Sequence, residues 1–144
     1  ERVAIGYLRN DRAAEETAEE LRGAGAEPLL LRGNVASERV AGEAAELGPF
    51  DLTLLPIGAY ADLWPDVHMT PEEAVRAHRD LRGKLLVPVH WATFDLGFHT
   101  WAEPVRRLLS AAASADVRIA LPRPGQRIDA LAPGPQVDWW SRLG

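Results

Sequence analysis

Short apolar runs alternate with amphipathic stretches along most of this chain. Runs typical of buried strands cover residues 3–8, 28–31, 50–57, 85–89 and 117–121. Apolar residues recur at helical spacing over residues 14–21, 37–47, 70–81 and 104–112. Strands that alternate with helices favour parallel pairing. The pattern therefore predicts a single α/β domain over residues 1–144, with a mainly parallel sheet of about five strands and helices packed on it.

The start of the third helical stretch is marked by three residues in a recognised order. Thr70 suits the N-cap, Pro71 suits the first helical position, and Glu73 stands where its carboxylate can reach back to the cap. The chain after Pro122 is rich in proline and glycine and ends near the pair Trp139 and Trp140. We expect this tail to be irregular and held in place by those indoles.

Composition and charge exclude several kinds of function. The net charge is −5 and the arginines are scattered, so no basic face for nucleic acid is expected. Cysteine is absent, which removes disulfides, thiolate zinc sites and cysteine nucleophiles. No apolar run is long enough to span a membrane. These features predict a soluble, cytoplasmic protein.

Three motifs from residue 47 onward carry a family resemblance. They read LGPFDLTLLPIGAY, VHMTPEEAVRAHRDL and LLVPVHWATFDL, in that order. Together they resemble the C-terminal half of metallo-β-lactamase-fold hydrolases related to N-acyl-phosphatidylethanolamine phospholipase D and ascorbate-phosphate lactonase. The chain departs from those relatives after PIGAY, where Ala61, Asp62 and Leu63 stand in place of their Pro-Arg pair. Substrate contacts made there would differ.

The resemblance implies a metal-dependent hydrolase of the phosphodiesterase or lactonase type, with zinc as cofactor and a small-molecule or lipid-like substrate. The His of the HW motif is a metal ligand in that family, which makes His90 the candidate ligand here. His68 and His78 are the candidate catalytic residues, since the resemblance implies that they line the same cleft. The alternatives are that His68 is a simple loop residue and that His78 is a hydrogen-bonded core histidine on the inner face of its helix.

Other residues count against a complete metal centre. A catalytic zinc normally has three protein ligands, and the family takes most of them from a His-x-His-x-Asp-His loop that this sequence lacks. Where those relatives carry a ligating aspartate, this chain has Asn34, a poorer ligand. A catalytically incomplete remnant, or a non-enzymatic recombined or engineered α/β scaffold, is therefore the alternative interpretation.

Residues 1–46 resemble a different family. The run VAIGYLRNDRAAEETAEELRGAGAEPLLLRGNV is similar to a strand, helix and strand of short-chain dehydrogenases/reductases. That resemblance implies cofactor contacts at Arg9 and Asn34, and a nucleotide-binding module is the second alternative function. The family's Gly-rich turn and its Tyr-x-x-x-Lys are missing, so NAD(P) is not expected as a cofactor. The two resemblances favour a chimera of residues 1–46 and 47–144.

Three further predictions concern surface features. His99 lies in a segment without a clear pattern and is interpreted as an exposed loop residue. Asp51 and Asp80 are interpreted as partners in structural salt bridges rather than as catalytic acids. Strand edges left open by such a fold favour pairing of two copies, so a homodimer is expected.

Overall fold

The structure is a computed structural model that describes residues 2–7, 9–33, 38–65, 67–94 and 96–141. It divides into two compact units, Glu1–Gly48 and Pro49–Gly144, which are described separately. Unit 1 contains β1 (Arg2–Tyr7), α1 (Asp11–Gly23), β2 (Glu27–Arg32) and α2 (Glu38–Leu47). Unit 2 contains β3 (Thr53–Pro56), α3 (Pro71–Asp80), β4 (Leu86–Val89) and α4 (Glu103–Ser114). The alternation of strands and helices that the sequence predicted is confirmed.

The prediction of one sheet of about five strands is wrong for the described residues. They form two parallel pairs instead, β1 with β2 and β3 with β4. The segment predicted as a fifth strand makes one isolated bridge, between Ile119 and Leu86. Alternate residues of β4 face this segment, so the next one to bond would be Pro88, which has no N–H to donate. The ladder therefore stops after one bridge.

Unit 1 packs two amphipathic helices on its pair of strands. Asn10 caps α1 by accepting a hydrogen bond from the Ala13 N–H at 3.1 Å. The fully buried side chains on its helices are small, namely Ala14, Ala18 and Val40. Unit 1 therefore has a thin core among the residues described.

Unit 2 has the larger apolar core. Its largest buried side chains come from the strand ends and from α4, and include Ile57, Leu85, Leu86, Val105 and Leu108. Helix α3 begins with the predicted capping box, in which Thr70 and Glu73 hydrogen-bond each other's backbone N–H groups. No helix in the described part of the chain is long and apolar enough to cross a membrane.

The C-terminal tail of unit 2 is irregular and held by its indoles, as predicted. The Trp139 Nε1–H donates to the Leu121 carbonyl oxygen at 2.8 Å, and its ring packs 5.6 Å from that of Trp91. Trp140 is buried in the main core. These contacts attach the tail to the same layer that carries β4.

Candidate functional site

The candidate site lies where β3 and β4 end side by side. The Ile57 N–H donates to the Val89 carbonyl oxygen at 3.1 Å, and the chains then approach so closely that a Cβ on Gly58 would meet the His90 carbonyl oxygen at 2.3 Å. Beyond this point His90 adopts a left-handed conformation, with φ of 58°. Non-glycine residues adopt this conformation rarely and at a cost. The close approach and the turn together place an exposed imidazole at the carboxyl end of the parallel pair.

His90 and His68 lie next to each other although 21 residues separate them in the chain. Their ring centroids are 5.0 Å apart, with the planes inclined by 40°. Burial lowers the pKa of His68 below 6.5, and the neighbouring His90 lowers it further. At neutral pH His68 therefore carries an uncharged imidazole, which is the form that can ligate a metal.

His68 lines an open cleft of about 530 Å³. Its lining combines polar groups with an exposed apolar rim and includes Tyr60, Asp62, Leu63, His68, Glu73, Phe98, His99, Glu103 and Arg107. His90 lines a much smaller cavity of about 20 Å³, which also includes His99. His99 therefore lines both the cleft and the smaller cavity.

His99 lies in a loop, as interpreted, but its ring is half-buried against the site rather than exposed. Its Nε2 atom accepts a hydrogen bond from the Ala59 N–H at 3.0 Å, and its Nδ1 atom lies 3.2 Å from the Thr100 carbonyl oxygen. The ring also stacks on Tyr60, with centroids 4.5 Å apart. A carbonyl oxygen can only accept, so Nδ1 carries the proton and both ring nitrogens are engaged. His99 shapes the cleft and is not available as a ligand.

A polar network ties Tyr60 to helices α3 and α4. The Tyr60 hydroxyl donates to Glu103 at 2.8 Å, and the Arg107 guanidinium lies over the Tyr60 ring. Burial, followed by the hydrogen bond to Glu103, raises the pKa of Tyr60 to about 12. Arg107 also binds both carboxylate oxygens of Glu72, at 2.9 and 2.7 Å, and this lowers the pKa of Glu72. The phenol is therefore neutral and the carboxylate ionised at neutral pH.

His78 lies away from the cleft that His68 lines. It is 2% exposed, and its Nδ1 atom is 2.7 Å from the Thr53 hydroxyl oxygen. Burial lowers the pKa of His78 below 6.5. The residue borders a second cleft, lined mostly by the ends of α3 and α4, which shares no lining residue with the first. The structure thus brings His68 and His90 together and leaves His78 apart from them.

One of the two cofactor positions predicted for the N-terminal segment falls on described residues. Arg9 is exposed after β1, and Asn34 lies outside the described residues. Asp51, predicted as a salt-bridge partner, pairs with Lys84 at 2.7 Å. The local sequence pattern did not predict that Thr53 would contact His78 or that Tyr60 would contact His99 and Glu103.

The two neighbouring histidines supply part of the donor set that a catalytic metal ion requires. His68 and His90 supply two imidazoles, and among residues 2–7, 9–33, 38–65, 67–94 and 96–141 no group of three or more His, Asp or Glu side chains is placed to hold an ion. Catalytic zinc sites normally use three protein ligands. The described residues therefore fit part of a zinc site and do not complete one.

Comparisons with known proteins point to one family. A family model described as "Beta-lactamase superfamily domain" matches residues 35–91, a stretch that contains both His68 and His90. A protein of Mycobacterium tuberculosis H37Rv is 59% identical over 99 residues, which are 67% of this chain and 27% of that protein. This chain thus spans about a quarter of the length of its mycobacterial relatives.

Two relatives have names that state an activity. N-acyl-phosphatidylethanolamine-hydrolyzing phospholipase D 1 of Caenorhabditis elegans is 43% identical over 54 residues, 36% of this chain and 15% of that protein. A metal-dependent hydrolase of Cupriavidus taiwanensis is 38% identical over 80 residues, 55% of this chain and 25% of that protein. These similarities confirm the resemblance drawn from the motifs after residue 47. We conclude that residues 35–91 of this chain are similar to the beta-lactamase superfamily domain, as the motifs after residue 47 indicated.

Proposed function

We propose that this chain forms one wall of the active site of a metal-dependent hydrolase of the phosphodiesterase or lactonase type. The observation that carries the proposal is the pair of imidazoles, 5.0 Å apart, at the carboxyl end of β4. Names of two relatives, a phospholipase D and a metal-dependent hydrolase, support the reaction class. In this proposal His90 is a zinc ligand and His68 binds the same ion or the substrate atom beside it.

The roles of the two histidines follow from their environments. A zinc ion, when bound, lowers the pKa of a bound water and polarises the substrate oxygen. His90 projects from a strand end that its close contact with Gly58 holds in place, so its imidazole needs little reorganisation to bind. His68 is kept uncharged by burial and by His90, so it does not repel a cation. The remaining ligands would come from outside the residues that the structure describes.

The cleft supports a substrate with an apolar part. Leu63 and Phe98 border it, each with 77% of its surface exposed, so the rim of the cleft presents apolar surface. Tyr60 and His99, whose rings stack with centroids 4.5 Å apart, line the same cleft. We therefore propose a lipid-like ester or lactone rather than a strongly hydrated substrate.

A metal titration with variants tests the ligand assignment. We expect isothermal titration calorimetry to show that zinc binds to one saturable site of the wild-type chain. Replacing His90 with Asn, or His68 with Asn, should weaken that binding at least about tenfold, because loss of an imidazole removes more affinity than loss of a group supporting one. Hydrolysis of phosphodiester and lactone substrates by the zinc-loaded chain is the accompanying assay.

His99→Gln is the matched control for the titration. His99 lines the same region, but both of its nitrogens are already engaged, so this variant should bind zinc as the wild type does. Equal zinc affinity in wild type and His90→Asn, or no saturable binding in the wild type, would contradict the proposal.

A non-enzymatic scaffold is the second candidate function. It is favoured by the number of donors, since the part of the chain that is described brings two imidazoles together and no third ligand. The same titration decides between the two functions. For His78 we propose a structural role in place of a catalytic one, because its ring is buried against Thr53. The homodimer, the chimera, the nucleotide-binding alternative and the cytoplasmic location stay predictions.

A further inference from the structure

The backbone of Ala59 is hydrogen-bonded on both sides by aromatic side chains. The Ala59 N–H donates to the His99 Nε2 atom at 3.0 Å, and the Trp64 Nε1–H donates to the Ala59 carbonyl oxygen at 2.8 Å. Ala59 itself is buried, so its polar backbone groups need partners within the protein. Two side chains from later in the sequence supply these partners.

The conformation of Ala59 is one that requires restraint. Its φ is 62°, in the left-handed region that is unfavourable for a residue with a Cβ atom. A residue persists in such a conformation only where its surroundings hold it there. The bonds to His99 and Trp64 act on the N–H and the carbonyl of this one residue, so they oppose its relaxation from both sides.

The turn at Ala59 adjoins the strand end that carries His90. The Ile57 N–H donates to the Val89 carbonyl oxygen, and Gly58 then lies so close to the His90 carbonyl oxygen that a Cβ there would meet it at 2.3 Å. Because Ile57, Gly58 and Ala59 are consecutive, the conformation of Ala59 determines where Gly58 lies against His90. A change at Ala59 would therefore alter the support of the His90 backbone.

The His99 ring is itself held in the orientation that this contact needs. It stacks on Tyr60 with centroids 4.5 Å apart, and its Nδ1 atom lies 3.2 Å from the Thr100 carbonyl oxygen. A Cβ on Gly97 would meet the Nε2 atom at 2.7 Å, so a glycine there leaves room for the ring. These contacts fix the acceptor before it meets the Ala59 N–H, which favours a geometric role for the ring.

We propose that His99 and Trp64 are positioning residues that hold the Ala59 backbone and, through Gly58, keep His90 in place to bind metal. The role assigned to His90 rests on the proposed function. The mechanical part of the proposal does not, because the hydrogen bonds to Ala59 and the contact between Gly58 and His90 exist without an ion. The test therefore has one part without metal and one part with zinc.

Amide hydrogen exchange, followed by NMR on the metal-free chain, is the first part. His99→Phe keeps a ring against Tyr60 but has no acceptor, so the Ala59 and Ile57 amides should exchange about tenfold faster, as expected for one lost hydrogen bond. His99→Gln can place its amide oxygen near the position of Nε2 and should restore protection. The Leu108 amide, in the middle of α4, is the reference and should be unchanged in both variants.

Two results of the exchange experiment would overturn the proposal. Unchanged protection of Ile57 in His99→Phe would show that the strand end does not depend on this contact. Equally fast exchange at Ile57 and Leu108 would show that the substitution destabilises unit 2 as a whole. Trp64→Phe, which removes only the donor to the Ala59 carbonyl, is the second variant and should accelerate exchange at Ile57 in the same way.

A double-mutant cycle on zinc affinity, measured by calorimetry, is the second part. His99→Phe should weaken zinc binding several-fold, and the loss should be smaller in the Ala59→Gly background, because glycine adopts a left-handed conformation without restraint. Equal losses in the two backgrounds would overturn the role in metal binding. If the wild type binds no zinc, the proposed function fails, and the exchange experiment alone decides whether His99 and Trp64 hold the strand end.

Discussion

At the scale of single residues, the contact between His78 and Thr53 shows what burial does to a titratable group. The imidazole is almost fully enclosed and its one described side-chain partner is a neutral hydroxyl, 2.7 Å away. Gly83 is required beside it, since a Cβ there would meet both the His78 ring and the Thr53 methyl group within 3 Å. A charge on this ring would be poorly solvated.

We expect the stability of the protein to fall as the pH is lowered below about 6.5, the usual His pKa. Because burial lowers the pKa of His78 in the folded chain, the unfolded chain takes up the proton first. The contribution of His78 is therefore complete above the unfolded pKa and declines towards the lower folded pKa. Urea unfolding at several pH values measures this slope.

His78→Gln should reduce the pH dependence of the unfolding free energy between neutral pH and the acid side. His68→Gln is the control variant. It removes a different histidine whose pKa is also lowered, and it keeps the buried His78. An identical slope in wild type and His78→Gln would show that His78 is not the group responsible.

The sequence predicted that His78 faces inward, and this is confirmed, but it could not identify the partner. Thr53 is 25 residues away and meets His78 only through the packing of α3 on β3. The same limit applies to His68 and His90, whose proximity depends on the path of the connection after β3. Local patterns define the face of a helix, whereas contacts between distant residues depend on tertiary structure.

At the scale of elements, the start of α3 is the most completely specified feature of unit 2. Thr70, Pro71 and Glu73 were enough to predict the helix start, and the structure contains both hydrogen bonds of the capping box. Every one of these interactions spans three residues or fewer. Such short-range features can be predicted from sequence because no distant segment takes part.

We expect Thr70→Ala to lower the free energy of unfolding by about 1 kcal/mol, because the Glu73 N–H loses its side-chain acceptor. Thr70→Ser retains the hydroxyl and is the matched control, with a much smaller effect. Urea denaturation of both variants provides the measurement. A loss of the same size in the two variants would indicate that the Thr70 methyl group, rather than the cap, is responsible.

Strand pairing was predicted less well than the strands themselves. The five apolar runs suggested one sheet, yet β1 and β2 pair with each other and β3 and β4 form a separate pair. Pro88 is the residue from which the limited pairing could have been predicted, because a proline in a strand has no N–H to donate to the neighbouring strand. Apolar patterns report burial and carry little information on which strands become neighbours.

At the scale of the whole molecule, the two units differ in the apolar material they bury. The buried helix residues of unit 1 are alanines and one valine, whereas unit 2 encloses leucine, isoleucine and tryptophan side chains. All five tryptophans lie in the range Pro49–Gly144. Indole fluorescence therefore reports on unit 2 alone, while far-ultraviolet circular dichroism reports on the helices of both units.

We expect urea to unfold the protein in two steps. Circular dichroism should lose part of its helical signal at lower urea than the shift in tryptophan emission, because the thinner core of unit 1 contributes less hydrophobic stabilisation. Two coincident curves would show that the whole chain unfolds as one cooperative unit.

The family could be recognised from the sequence because its motifs cluster within residues 47–96, where the structure places β3, α3 and β4. The shape of the cleft could not, because Leu63, Tyr60 and Phe98 become neighbours only through two irregular connections.

The left-handed backbone at the end of β4 has a consequence for engineering. Ala59, His90 and Ala92 all have φ near 60°, so glycine would ease the chain at each of these positions. A design procedure that optimises thermal stability alone would therefore place glycine at position 90 and remove the imidazole. Substitutions intended to stabilise the protein should therefore leave His90 unchanged and be made at Ala59 and Ala92.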